Sequence, residues 1–541
     1  MINKKAFLVF LGTFIMIPLV KSQDMEEAKQ LIESERYSSA EQMLEKSIAV
    51  AGPEPELNYL LVKTYLEQEK TAKASSFVNR YLQSAVSNDA DPLNRIAATR
   101  YFLNAGNKNA AEEIFNSIES NKKYSKDATL LIAMAEVAID EKEGDAEAAL
   151  KWLGMAEKRD RRNPQIDLLR GLAYRKLNDA SNAYLAFQEA IKKDPSNVRA
   201  HYLLGKIFTA QKNTDIYLEH FGKAYEIDST YAPVLEELYK YYYYRNIKEA
   251  KRYLLKYIDH SDYSLENEYN VTDILYLNRE YPEAIRSASE LIKKEQEKVQ
   301  PRIYKLIAYA YTHTGDSAKA LGFMKTYFEH EDPRKVIAAD FQLIAQLTER
   351  IAGQEEAAIY YYSRASELDT ARVNKAQYAA SIVSLYKKTG NKAREAEWLG
   401  KYYGWKERAG NVDLFNWGLA LYMAKDYPAT DSVFTLYTER YPEDIYGYYW
   451  RAQANAAIDT AMTDSLAIPF YQKVVSIGET DKVKHKKMLL KAYGYLGGFE
   501  ANITKNYEAS LVWFEKYIAI EESETISKYI DTLHKWIEEK K

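Results

Sequence analysis

The chain has 541 residues, 74 of them lysine or arginine against 78 acidic, for a formal net charge of −4, and it contains no cysteine. That balance gives no electrostatic pull toward phosphate and argues against a nucleic-acid binder, while the missing thiols exclude disulfides, thiolate metal sites and lipid attachment through a cysteine. A hydrophobic share of 47% with only 13 prolines and 21 glycines suits a helical fold, and the 47 tyrosines are read chiefly as packing at helix seams with hydroxyls reaching water.

In chain order, Met1–Ser22 has the form of a secretory leader. Lys4 and Lys5 open it, an apolar run follows from Ala6 to Val20, and Val20-Lys21-Ser22 offers a cleavage site that would leave Gln23 first. Helical spacing then predicts two hairpins between Asp24 and about Val86, the first of them a cap. A third is expected over Pro92–Ile118 with Gly106-Asn107 at its turn, and a fourth over Ala128–Ala156 with a long turn at Glu141–Asp145.

The clearest unit is Pro164–Pro195. Leu168, Leu169, Leu172 and Tyr174 keep a helical period, Leu177-Asn178-Asp179 breaks it, and Tyr184, Phe187, Ala190 and Ile191 resume it. Gly171 is expected opposite Ala183 and Ala190, small residues that let two backbones approach, with Tyr174 and Phe187 filling the space beyond. Pro195 stops the second helix. Thirty-four residues on, Gly205, Phe208, Tyr217, Phe221 and Ala224 repeat the pattern.

Ala232–Ile258 follows, with Tyr239 and Tyr241 to Tyr244 on its first helix, more aromatics than one buried stripe holds. After Leu265–Leu291 the polar run Lys293–Gln300 marks a break, which gives a leader (1–22), a first array (23–297) and a second array (298–541). The second array is read as Pro301–Phe328, Val336–Leu368, Val373–Tyr403, Asn411–Pro442 and a degraded unit Ile445–Ile477 with an enlarged turn at Asp459–Pro469. Its last hairpin is expected to place Gly497-Gly498 between the helices and Ala509 and Trp513 on the second one. Ile526, Tyr529, Ile530, Leu533 and Ile537 then line one face of a closing helix, as a terminal cap requires.

The spacing of small and aromatic residues in Pro164–Pro195 and its successor resembles the tetratricopeptide repeat (TPR), whose period is about 34 residues. Further copies stand at Ala308, Tyr311, Ala320, Met324 and Tyr327, and at Gly418, Leu421, Thr430, Phe434, Tyr437 and Pro442. The resemblance implies an all-α fold, a right-handed α-solenoid of about 13–14 hairpins whose first helices line a concave groove that binds partner proteins. Carried onto this chain, the groove positions are Arg175, Lys176, Arg199, Tyr202 and Lys206, then Lys240, Tyr243 and Tyr244, then Arg302, Lys305 and Tyr309. Such a basic, tyrosine-rich surface favours a segment bearing carboxylates and apolar side chains. The lysine and asparagine of the family's chaperone-tail clamp are Leu168 and Leu172 here, so a chaperone co-factor is not expected.

No glycine-rich phosphate cradle, G-x-S-x-G turn or H-E-x-x-H pair occurs, and the seven histidines are scattered, so neither an enzyme nor a cofactor is expected. Asp followed by Ser or Thr is similar to the periplasmic O-glycosylation site of Bacteroidetes bacteria, which makes Ser229, Ser317, Thr370, Ser432, Thr460, Ser465 and Thr532 candidate acceptors. Together with the leader, this implies a Bacteroidetes-like exported protein of the periplasm or the periplasmic side of the outer membrane, without a membrane span once the leader is cleaved. The expected function is a scaffold whose protein partners belong to a secretion, transport or envelope-building complex. The alternative is a glycan-binding outer-membrane component resembling the SusD family.

Overall fold

The computed structural model describes residues 24–81 and 91–539. The expected leader Met1–Ser22, the start at Gln23 and the end of the second hairpin near Val86 lie outside them. Among the described residues the protein is all-α, built of stacked helical hairpins with no strand. It divides into two compact units, Met1–Lys298 and Val299–Lys541.

Unit 1 pairs α1 (24–33) with α2 (Tyr37–Ala51), α3 (Pro55–Glu67) with α4 (Thr71–Tyr81), α5 (Pro92–Asn104) with α6 (Lys108–Ser120), and α7 (Ala128–Asp140) with α8 (Ala146–Glu157). It continues with α9 (Pro164–Lys176) and α10 (Ala180–Lys193), α11 (Val198–Ala210) and α12 (Thr214–Ile227), α13 (Ala232–Tyr243) and α14 (Ile247–Asp259), and α15 (Leu265–Leu277) and α16 (Tyr281–Glu295). Six of the eight hairpin turns of unit 1 share a chemistry. One residue takes the left-handed conformation to close the first helix, as at Asn178, Lys212 and Arg279. In the fifth and sixth hairpins an Asp or Asn then accepts a backbone amide to open the second helix, as Asp179 does from Asn182 and Asn213 does from Ile216.

The seam of the fifth hairpin differs from expectation in one contact. Gly171 meets the ring of Phe187 itself, and a Cβ built there would lie 2.3 Å from Cε1. Gly205 stands to Phe221 in the same way, also at 2.3 Å. The glycine is therefore required by the aromatic ring of the second helix, and Ala183 and Ala190 pack beside that ring. Of the tyrosine run, Tyr239 is buried, Tyr241 to Tyr243 are half-buried and Tyr244 is 89% exposed.

Unit 2 pairs α17 (Arg302–Thr314) with α18 (Ser317–His330), α19 (Ala338–Thr348) with α20 (Glu355–Leu368), and α21 (Arg372–Thr389) with α22 (Lys392–Trp405). Then come α23 (Asn411–Met423) with α24 (Tyr427–Arg440), α25 (Ile445–Ile458) with α26 (Ile468–Gly478), α27 (Lys486–Phe499) with α28 (Tyr507–Ile518), and the closing helix α29 (Glu524–Glu539). Gly418 repeats the glycine-to-ring contact with Phe434.

The last hairpin corrects the sequence reading. Gly497 and Gly498 lie inside α27, and the turn comes later, after a π-helical stretch at Glu500–Thr504 that ends on left-handed Lys505. Glycine and ring are 16 residues apart in Gly171–Phe187, Gly205–Phe221 and Gly418–Phe434 but 17 apart in Gly497–Phe514, because the π turn inserts one residue. The seam positions are accordingly Ser510 and Phe514, both buried, in place of Ala509 and Trp513.

Candidate partner-binding lumen

The first helices of unit 1 face a common space. A cavity of about 440 Å³ is lined by Ile32 and Glu33 of α1, Tyr59, Leu60, Lys63 and Glu67 of α3, Leu93 of α5, Ile132, Glu136 and Asp140 of α7, Gln165 of α9 and Arg199 of α11. Apart from Tyr37 at the start of α2, its lining comes from first helices and the residues that enter them. A second cavity of about 620 Å³ shares Glu33, Gln165 and Arg199 and extends to Asp228, Tyr231 and His260.

One wall carries a buried ionic network that ties three hairpins together. Lys63 Nζ lies 2.6 Å from Glu136 and 2.9 Å from Asp140, and Arg100, fully buried, reaches Asp140 at 2.9 Å and Glu141 at 3.4 Å. The Tyr59 hydroxyl donates to Glu136 and accepts from Arg100 at 3.1 Å. Burial alone would raise the Asp140 carboxyl, but Lys63 and Arg100 more than offset it and hold the group well below its ordinary range. Burial of Lys63 is likewise outweighed by Asp140 and Glu136, which keep its ammonium above its usual value. These cations hold the fold together and are spoken for. Across the lumen, burial raises the Glu33 carboxyl although Arg199 acts against it, and burial together with Glu236 raises Glu35.

The predicted groove residues separate into paired and unpaired groups. Lys176 donates to the carbonyls of Ala138 at 2.9 Å, Ile139 at 3.2 Å and Glu141 at 2.5 Å, closing the C-terminus of α7. Lys206 pairs with Glu237 at 2.7 Å and Lys240 with Glu236 at 2.8 Å. The side chains of Arg175 and Arg199 make no hydrogen bond or ion pair among the described residues, although burial of the Arg199 guanidinium is outweighed by Tyr231, Asp140, Glu136 and Glu33, which hold it above its ordinary value. Burial lowers the Arg175 guanidinium, and its neighbours there are Tyr202 and Arg199. Tyr202 is half-buried, edge-on to Tyr231 at 5.9 Å. Tyr243 stands edge-on to Tyr239, and Tyr244 faces solvent.

In unit 2, Lys305 binds the fully buried Asp340 at 2.6 Å, Arg302 donates to Gln300 at 2.8 Å, and the Tyr309 hydroxyl reaches the Ala339 carbonyl at 3.4 Å. Four of the predicted groove lysines serve internal pairs, and carboxylates outnumber cations around the 440 Å³ cavity.

Residues 171–212 match the sequence pattern described as the TPR repeat. This stretch is a TPR repeat. No curated protein matches the chain. Solved structures similar to it include the C-terminal part of a TPR repeat-containing protein from Cytophaga hutchinsonii, at 26% identity over 48% of this chain and 98% of that one, TM-score 0.29. Pseudomonas aeruginosa PilF shares 18% identity over 41% of this chain and 99% of its own, TM-score 0.29, and yeast Tom70 shares 13% over 76% and 96%, TM-score 0.26. The TPR assignment here rests on the matched repeat and on the hairpins themselves.

The hairpins also place the candidate acceptors. Ser229, Thr370 and Thr460 are exposed between helices, and Ser465, half-buried, also lies between helices. Ser317 is half-buried at the start of α18. Ser432 and Thr532 lie inside helices, their hydroxyls bonded back to the carbonyls of Pro428 and Lys528. Several of the aspartates have structural work: Asp316 caps α18, Asp369 accepts from Asn374 and Tyr378, and Asp431 accepts from Arg451 and Asn455.

Sequence reasoning missed the lumen's own charges, Lys63, Arg100, Glu136 and Asp140. A signal existed, since α7 reads ATLLIAMAEVAID and places two acids four residues apart on an otherwise apolar helix. Among the described residues no helix is long and apolar enough to cross a membrane, and no group of three or more His, Asp or Glu side chains could hold a metal ion.

Proposed function

We propose that the protein is a non-catalytic TPR scaffold that binds partner proteins through the lumen of unit 1. The observation that carries this reading is Arg199, which lines both lumen cavities with no side-chain hydrogen bond or ion pair among the described residues, its charge stabilised from a distance by Asp140, Glu136 and Glu33, with Arg175 and Tyr202 beside it. Solenoid repeats present such extended surfaces to partner segments. A segment bearing a carboxylate would satisfy Arg199 while its aliphatic groups cover Ile32, Leu60 and Ile132.

The test is recovery of partners by cross-linking. Arg175→Ala combined with Arg199→Ala is expected to lose partners that the parent recovers while keeping its helicity. Lys206 and Lys240 are left untouched because their reversal would set them against Glu237 and Glu236. Equal recovery by parent and variant would move binding off the lumen.

The reading extends to location. The leader-like Met1–Ser22 and the Asp-Ser/Thr sites support export into a Bacteroidetes-like envelope, where the scaffold would serve a secretion, transport or envelope-building complex on the periplasmic side. Mass spectrometry of the native N-terminus checks this: Gln23 is expected first, and an intact Met1 would refute export.

A further inference from the structure

The first and seventh hairpins of unit 1, more than 200 residues apart in sequence, meet at a single carboxylate. Helix α2 begins after Arg36, whose side chain offers no acceptor for the free amides of the first turn. Those amides are taken by Asp262, in the segment between α14 and α15. Ser38 N–H donates to Asp262 Oδ2 at 2.6 Å, Ser39 N–H reaches Oδ1 at 3.3 Å, and the Ser39 hydroxyl donates to Oδ1 at 2.6 Å. An Asp at the N-cap position would make these bonds, and a negative charge suits this end of a helix. Here the capping group comes from six hairpins away.

Across the same seam Glu236 repels Glu35, while Arg199 and Lys206 attract it and Arg199 also attracts Glu33. Behind the seam is the 620 Å³ cavity, with Glu27, Gln30 and Leu31 of α1 on one side and Val198, Tyr231 and His260 on the other. The bonds to Asp262 therefore hold together the two sides of the space that a partner segment would enter.

We propose that Asp262 is a clasp that closes unit 1 on its first hairpin, and that its release opens the lumen. The clasp stands on its own geometry. Only its use in admitting a partner rests on the binding reading above.

The full-length chain has no cysteine, so labels can be placed at will. Spin labels at Lys46→Cys and Asp259→Cys, both exposed, report the distance across the seam. The parent is expected to show one short, narrow distance distribution. Asp262→Ala is expected to raise a longer population by roughly tenfold, the size that loss of a helix N-cap brings.

A thiol at Gln165→Cys, which lines both cavities, reports access: its rate with a bulky maleimide should rise by a similar factor while its rate with iodoacetamide changes little. Asp262→Asn, which keeps the shape and one acceptor oxygen, should fall between the two, and circular dichroism checks that all three are folded. Identical distances in parent and Asp262→Ala, or a broad distribution in the parent, would overturn the clasp. Opened distances with unchanged maleimide rates would overturn its role in access. If the variant opens the lumen and partner recovery stays insensitive to Arg175 and Arg199, the binding reading fails and the clasp stands.

Discussion

Replacing Gly171 by alanine tests the seam on which the repeats are built, because two effects of known size oppose each other there. In an unconstrained helix interior the substitution stabilises by about 0.8–1 kcal/mol, since alanine is the better helix former. At Gly171 the new methyl would sit 2.3 Å from Phe187 Cε1 and 2.5 Å from Cδ1, against the roughly 3.5–4 Å of an ordinary carbon contact. The Phe187 ring is fully buried among Leu168, Ala183, Ala190, Leu203 and Leu204, so it has nowhere to withdraw without moving its neighbours. Overpacking of this kind costs about 1–3 kcal/mol. The net expectation is destabilisation, by up to about 2 kcal/mol once the helix gain is subtracted.

Gly222 is the matched control: it lies inside α12 with nothing within 4 Å of a built Cβ, so Gly222→Ala should stabilise. Phe187→Leu should restore room, and the double variant Gly171→Ala/Phe187→Leu should cost less than the sum of the singles by about 0.5–3 kcal/mol. A stacked array need not unfold in one step, so the readout is amide hydrogen exchange resolved to α9 and α10 beside a urea melt of the whole chain. A Gly171→Ala protein as stable as Gly222→Ala would refute the seam.

Lys63→Met should destabilise unit 1 by about 3–5 kcal/mol in a urea melt, because among the described residues it leaves Glu136 and Asp140 buried with Arg100 as their one remaining ion-pair partner. Asp140 is held below its ordinary value of 3.8, so its network's contribution is fully present above about that pH and is lost as pH falls toward the depressed value, measured as acid unfolding that Asp140→Asn shifts. His220 behaves as the cationic counterpart: burial, then His201 at 3.3 Å between Nδ1 atoms, and Lys223 push it down from 6.5 to about 4. The unfolded chain therefore binds the proton first, and stability should fall as pH drops from about 6.5 to about 4, a slope that His220→Gln flattens in melts across that range. If the protein is exported and glycosylated in its host, peptide mass spectrometry should find the sugar at exposed Ser229, Thr370 or Thr460 and leave Ser432 and Thr532 bare, since the last two hydroxyls are bonded within helices.

How much of this was legible follows from the range of each interaction. Helix starts and turns are local, so the break at Asn178 and Asp179 could be read from the chain and the hairpins before the last fell where the period placed them, whereas the Gly171–Phe187 contact was misplaced onto Ala183 and Ala190. The last hairpin escaped because a single inserted residue in the π turn at Glu500–Thr504 shifted Ser510 and Phe514 into the seam, an event the mean period cannot encode. The lumen was the least legible part. Groove positions carried over by repeat register name residues on first helices. They do not say that Lys206 will find Glu237 on the next hairpin or that Lys176 will cap α7 on the hairpin before its own.

The contacts between distant hairpins lie furthest from view, and they have a distinct energetic standing. In an array where each hairpin is stabilised chiefly by its neighbours, removing a seam such as Gly171–Phe187 loosens the repeats on either side. The bonds from Asp262 to Ser38 and Ser39 belong to no neighbouring pair. Their loss leaves every local hairpin interface intact and changes only whether the first and seventh hairpins touch. A solenoid that must admit and release a partner can alter such a contact without unfolding a repeat, and for that reason the adjustable part of unit 1 is placed at Asp262.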